Sequence, residues 1–212
     1  MTIIAPAAFT TWADMRSRVL RKAPECPGFR IDDALKEAAN EFFSTSCVWR
    51  MARATLLTTV ADTTDYAYTP PTNGEVNRVH SAWDGTDELD VMLLGEEDDS
   101  EPDDETDQFK VGCRPTNTLY LSHVPVTAGN VVAGTLSFKP SVAAVGIPTE
   151  AWTLWAEEIA CGAAAMLVTE PLKPWSQPST HAFLRGKFDE GIRDASISAG
   201  PTRRRPLRVT PL

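Results

Sequence analysis

The stretch from Thr149 to Gly200, TEAWTLWAEEIACGAAAMLVTEPLKPWSQPSTHAFLRGKFDEGIRDASISAG, constrains the chain more than any other. It reads as two helices joined by a proline-rich elbow. Trp152, Trp155, Ile159, Gly162, Ala163 and Met166 recur at the spacing of one helical face, and Glu150, Glu157 and Glu158 fall largely off it. Cys161-Gly162-Ala163-Ala164-Ala165 presents small side chains nearly all round, so a second backbone can approach closely. Gly162 gives up about 1 kcal/mol of helix propensity relative to alanine, a cost that close packing would justify. Pro171 and Pro174 stop this helix, because proline lacks the amide donor and restricts the residue before it. The second helix starts near Ser179 and carries Leu184, Phe188, Ile192 and Ala195 at helical spacing. Trp152, Trp155, Ile159, Leu184 and Phe188 are the expected core of this hairpin.

Two more helices are expected near the N-terminus. Thr10 or Thr11 can cap a helix over about 11–22, with Trp12, Met15 and Val19 as its apolar stripe. Pro24, Pro27 and Gly28 break the chain before a helix over about 31–45, where Ile31, Leu35, Ala38 and Phe42 share a face. Asp32 and Asp33 are placed at its positive end. Phe43, Val48 and Trp49 carry the apolar surface beyond it.

After Trp49 the pattern becomes strand-like. Ala54–Val60 is rich in Thr, Leu and Val, the Tyr66/Tyr68 region and Val76–Trp83 alternate, and Asp84-Gly85-Thr86 is a turn in which glycine supplies the left-handed conformation. Leu89, Val91 and Leu93 continue, followed later by Thr118–Ser122 and Val131–Phe138. The expected fold is α+β: a four-helix bundle with an inserted antiparallel β module and an extended C-terminal tail. Residues 1–48 and 146–200 would make the helical bundle domain, 49–145 the inserted β domain, and 201–212 the tail.

Charge and composition narrow the function. A net charge of -9 argues against a general nucleic-acid binder, which needs surplus Lys and Arg. Cys26, Cys47, Cys113 and Cys161 lie far apart without metal-ligand spacing and read as reduced thiols of a cytoplasmic protein. The opening MTIIAPAAF lacks the basic and apolar regions of a secretion signal. No unbroken apolar run approaches the ~20 residues of a membrane span, so no membrane partner is expected.

Gly95–Asp107 contains nine acids: Glu96, Glu97, Asp98, Asp99, Glu101, Asp103, Asp104, Glu105 and Asp107. Neither the alternate ligand spacing nor the turn glycine of a calcium loop is present. A solvated hairpin loop held open by self-repulsion is the plain reading. A divalent-ion sponge and a surface that repels DNA phosphates are the alternatives.

Chemistry-bearing constellations do not emerge. His80, His123 and His181 have no carboxylate or cysteine partner at suggestive spacing, and Gly112, Gly129, Gly134 and Gly146 form no phosphate-cradling loop. No catalytic residue, metal ligand or cofactor is therefore assigned. Trp152 and Trp155 could stack a ligand, but their spacing on an apolar face points to core.

The order helix, helix, β insertion, helix, helix, tail resembles the head-to-tail adaptor proteins (tail-tubular or gatekeeper-type connectors) of tailed bacteriophages. The resemblance is carried by IDDALKEAANEFFSTSCVWR at 31–50, Tyr66 and Tyr68 ahead of Pro70-Pro71, and AWDGTDEL at 82–89. LSFKPS at 136–141 and PWSQPSTHAFLRGKFDEGIRDA at 174–195 complete it. The acidic 96–107 loop departs from the pattern. The resemblance implies a ring of twelve subunits in the neck of the virion, made in the host cytoplasm. It sits under the portal protein, meets a tail or nozzle protein, and lets genomic DNA pass without sequence-specific binding. It implies no catalysis. Another neck component (a stopper or tail completion protein), an acidic cytoplasmic binding module and an uncharacterised enzyme are the rival readings.

The tail, PTRRRPLRVTPL, holds Arg203, Arg204, Arg205 and Arg208 and no acid. A plain chain end and DNA contact are open readings. Docking into a partner is favoured, because Leu207, Val209 and Leu212 interleave with the arginines and can fill grooves while the arginines pair with carboxylates. By resemblance, that partner is the portal.

Loop length costs stability only logarithmically. Replacing residues 97–106 with a short Gly/Ser linker should therefore leave the thermal transition and the oligomeric state unchanged; loss of folding would show that the acids make specific contacts or hold an ion.

Overall fold

The structure, a computed structural model, describes residues 8–92, 110–125 and 128–200, the Arg53 side chain excepted. Leu93, the acidic run 95–107 and the tail 201–212 lie outside these residues. Among the described residues there are four helices: α1 (Trp12–Leu20), α2 (Gly28–Ser46), α3 (Thr149–Val168) and α4 (His181–Ser198). The described strands are nine: β1 (Phe9–Thr11), β2 (Arg50–Thr58), β3 (Asp65–Ala67), β4 (Gly74–Asp84), β5 (Asp87–Leu89), β6 (Val111–Arg114), β7 (Thr118–Leu121), β8 (Val131–Pro140) and β9 (Gly146–Pro148). They pair antiparallel in three sheets, in the orders β2-β8-β4-β5, β3-β7-β6 and β1-β9.

This overturns the expected four-helix bundle with an inserted β module. The fold is α+β and sheet-rich, with helices and sheets built on one continuous core. The reason lies on α2, whose adjacent rings Phe42 and Phe43 face different neighbours. Phe42 packs on Phe188 of α4 (centroids 6.1 Å) and Trp155 of α3 (5.9 Å). Phe43 packs on Trp49 (5.8 Å), which meets Phe138 of β8 (5.9 Å), which stacks on Tyr68 (6.3 Å). Each such pair contributes about 0.5–1.5 kcal/mol beyond its buried area. A helix apolar toward both helices and sheet cannot close a bundle with helices alone.

Local signals explain most boundaries. Thr11 caps α1 through a reciprocal capping box with Asp14. Pro27 stands at the N-cap of α2, which starts at Gly28, so Asp32 lies beyond its first turn. Asp32 instead receives both Nε (2.7 Å) and Nη2 of Arg16, tying α1 to α2. Gly85, at φ 60°, makes the tight turn between β4 and β5, where Asp84 faces Asp87. Both neighbours of the central strand β8 carry two register shifts; Asn77 and His80 on β4 fall at such shifts.

α3 is buried over most of its circumference from Ile159 to Val168. It is long and apolar enough to cross a membrane (mean hydropathy 1.2 over its best window), a property that a search for unbroken apolar runs passes over. Here it is the central helix, packed by α1, α2 and α4. Gly162 admits the Phe188 ring: a Cβ there would stand 2.5 Å from Phe188 Cδ2. Gly191 of α4 reciprocates, since its Cβ would stand 2.5 Å from Glu158 Cβ. The close approach is thus glycine against side chain in both directions.

Gly162→Ala gains about 1 kcal/mol of helix propensity and loses about 1–3 kcal/mol to overpacking against an immobile ring. A lower urea midpoint is expected, partly recovered in Gly162→Ala/Phe188→Leu; an unchanged or higher midpoint for the single variant would show that the helices can part at no cost.

Candidate functional site

Of the hairpin residues singled out in the sequence, Ile159, Leu184 and Phe188 are buried, whereas Trp152 and Trp155 are half-buried against the core. On the expected face Ile159, Gly162 and Ala163 are buried and Trp152, Trp155 and Met166 are half-buried, while Thr153, Leu154 and Glu157 form the exposed side of α3. Arg18 covers Trp152 at 5.8 Å from its centroid. Trp155 sits at a break in α3 (φ -124°, ψ 20°), its indole Nε1 buried and without an acceptor among the described residues. The seven tail positions Arg203, Arg204, Arg205, Leu207, Arg208, Val209 and Leu212 lie outside the described residues.

The three histidines are far from sharing a site. His123 contacts Ser122 Oγ, and His181 Nδ1 donates to Ala165 O (3.0 Å). Among the described residues neither ring nitrogen of His80 finds a hydrogen-bond partner. Burial, then the charges of Arg50 and Arg78, push its pKa down to about 3. All four cysteines are buried and free, and burial raises the thiols of Cys26, Cys113 and Cys161. No group of three or more His, Cys, Asp or Glu side chains among the described residues is placed to hold a metal ion.

Arg50 was not singled out in the sequence. Its side chain is buried, donating from Nε to Cys47 O (2.7 Å) and from Nη1 to Ala199 O (3.0 Å) and Gly200 O (3.5 Å). One guanidinium thus satisfies carbonyls at the ends of both α2 and α4, where orphan acceptors and the helix dipoles favour a cation. Burial and Arg78 push its pKa down, and among the described residues its acceptors are backbone carbonyls. The chain consequently leaves α4 beside the C-terminus of α2.

Exposed apolar side chains gather at the two ends of the outer row of α2, among others elsewhere on the surface. At one, an Arg30–Glu170 ion pair joins the start of α2 to the end of α3. Phe29 is 66% exposed beside it, and Leu172 is fully exposed two residues beyond. Leu172 also adopts φ 60°, a left-handed conformation that costs a non-glycine residue about 1–2 kcal/mol. At the other, Val142 (95% exposed) and Val145 stand on the β8–β9 loop. Next to them runs an open groove of about 600 Å³, with Asp33, Lys36, Glu37 and Glu41 of α2 along one side and Pro140–Val142 along the other. Glu41 is held there by Nη1 and Nη2 of Arg185 from α4.

No model of a known protein family matches this chain, and no curated protein does.

His80 gives a pH signature. Its folded pKa is lowered, so below pH 6.5 the unfolded chain binds a proton that the folded chain refuses. Stability should fall as pH drops from about 6.5 toward 3, by at most about 1.4 kcal/mol per pH unit. In His80→Leu the urea midpoint should stay flatter between pH 6.5 and 5, above the range where carboxylates protonate; parallel curves for the two proteins would exonerate His80.

Proposed function

We propose that the chain is a structural subunit of a head-to-tail adaptor ring in a tailed-bacteriophage virion, joining the portal to the tail and letting DNA pass. The observation that supports it beyond the sequence resemblance is the pair of unlike exposed apolar patches. Phe29 and Leu172 stand on one, and Val142, Val145 and the α2 groove on the other. Closed rings form by heterologous contacts, in which each subunit offers two different complementary surfaces. A strained, fully exposed leucine on a proline-bounded elbow is an expense that a partner surface would justify.

In this reading the subunits number twelve, the tail residues Arg203–Leu212 engage the portal, and the opposite side of the ring receives a tail or nozzle protein. DNA is passed without base readout, in keeping with a strongly acidic chain. No cofactor, metal or catalytic residue has a part in it.

Electron microscopy of the purified protein should show closed rings, and virions should contain the chain at constant stoichiometry. Leu172→Glu and Val142→Glu, both at exposed positions, should each yield folded subunits that no longer close. Removing residues 201–212 should spare the rings and abolish joining to portal-containing heads. A monomer absent from particles would overturn the adaptor reading in favour of a soluble binding module or enzyme.

A further inference from the structure

We infer that the arginine-rich C-terminal tail docks in cis along the acidic groove of α2 in the free protein. Three observations converge. Arg50 bridges Cys47 O to Ala199 O, so the chain passes Gly200 and enters the tail within one guanidinium of the C-terminus of α2. Ser44, three residues back, is already a lining residue of the groove.

The second observation is spacing. Glu41, Glu37 and Asp33 recur every four residues along α2 on the groove side. At 1.5 Å per helical residue they lie about 9, 15 and 21 Å from Cys47. An extended chain, at about 3.3 Å per residue, covers those distances in about three, five and six residues. Counted from Gly200, Arg203 comes level with Glu41 and Arg205 with Glu37, on the same side of an extended strand, and Leu207 follows on that side near the level of Asp33. Successive carboxylates one helical turn apart, about 6 Å, match alternate residues of an extended strand, about 6.6 Å.

The third is complementarity. The tail has four arginines and no acid. The groove offers Asp33, Glu37 and Glu41 against Lys36, and Glu41, already shared with Arg185, has oxygen lone pairs to spare. Across the groove, exposed Val142 offers an apolar contact to Leu207 or Val209, which interleave with the arginines. Exposed ion pairs are individually weak. Covalent attachment beside the groove supplies the effective concentration that such a set needs. Docking of this kind stores the tail until a stronger partner competes for it.

Trypsin reports the docking on the free, full-length protein, with no portal present, so its outcome is separate from that of the adaptor reading. Cleavage after Arg208 should be about tenfold slower in the wild type than in Asp33→Arg/Glu37→Arg at low ionic strength, because protease reads the undocked population. The difference should vanish in about 1 M salt, where the screening length falls to about 3 Å. Adding Arg203→Glu/Arg205→Glu to the groove-reversed protein should restore protection. Equal cleavage rates for wild type and groove-reversed protein overturn the proposal. So does protection of the groove-reversed protein's tail by a chain truncated at Gly200, since that chain offers a groove only in trans.

Discussion

Everything in this fold hangs on two adjacent phenylalanines that point to different layers. Phe42 closes against Phe188 and Trp155, and Phe43 against Trp49, through which the contact continues to Phe138 and Tyr68. Ring follows ring from the α3–α4 pair to the central sheet without an intervening polar layer. Helices and strands therefore share one core, and neither can shift without moving α2. The turn that allows this is Cys47, which ends α2 in the left-handed conformation (φ 52°) and sends Trp49 back under Phe43.

Much of the fold could be read from the sequence because its elements announce themselves locally. The four helices fall within a few residues of the expected spans, since Thr11, the prolines at 171 and 174, and the apolar spacings act within one or two turns. The layer arrangement could not be read. Periodicity placed Phe42 on the apolar face of α2 but left its neighbour Phe43 merely as extra apolar surface, and which partner each ring meets is decided by contacts distant in sequence. The short strands β1, β6 and β9 were missed for a related reason. Three- and four-residue strands carry no period, and Phe9–Thr11 becomes a strand only because Gly146–Pro148 lies opposite it. Gly146 is the residue that permits the pairing, as a Cβ there would stand 2.1 Å from Thr10 O.

The tryptophan stripe teaches the same lesson on α3. The expected face held Trp152, Trp155, Ile159, Gly162, Ala163 and Met166; Ile159, Gly162 and Ala163 are buried with Ala164 and Ala165, whereas Trp152, Trp155 and Met166 are only half covered. Where two helices approach this closely, bulky side chains are displaced to the margin and small ones take the centre. A run of small residues was therefore the better indicator of the core than the aromatics beside it.

The surfaces were legible only in part. The exposure of Leu172 follows from its place between two prolines, but nothing in the residues told that its backbone is left-handed. The groove on α2 was hidden because its far side comes from Pro140–Val142, about a hundred residues away. Arg50 was hidden too, since a basic residue at a strand start ordinarily reads as solvated. Its burial between the ends of two helices has a consequence for the whole molecule. A buried guanidinium held by carbonyls at two helix ends loses those bonds if either end moves away, so the exit direction of α4 is coupled to the packing of α2 itself. The same helix thus ties the layers together through its rings, carries the carboxylates of the groove, and sets where the basic tail begins.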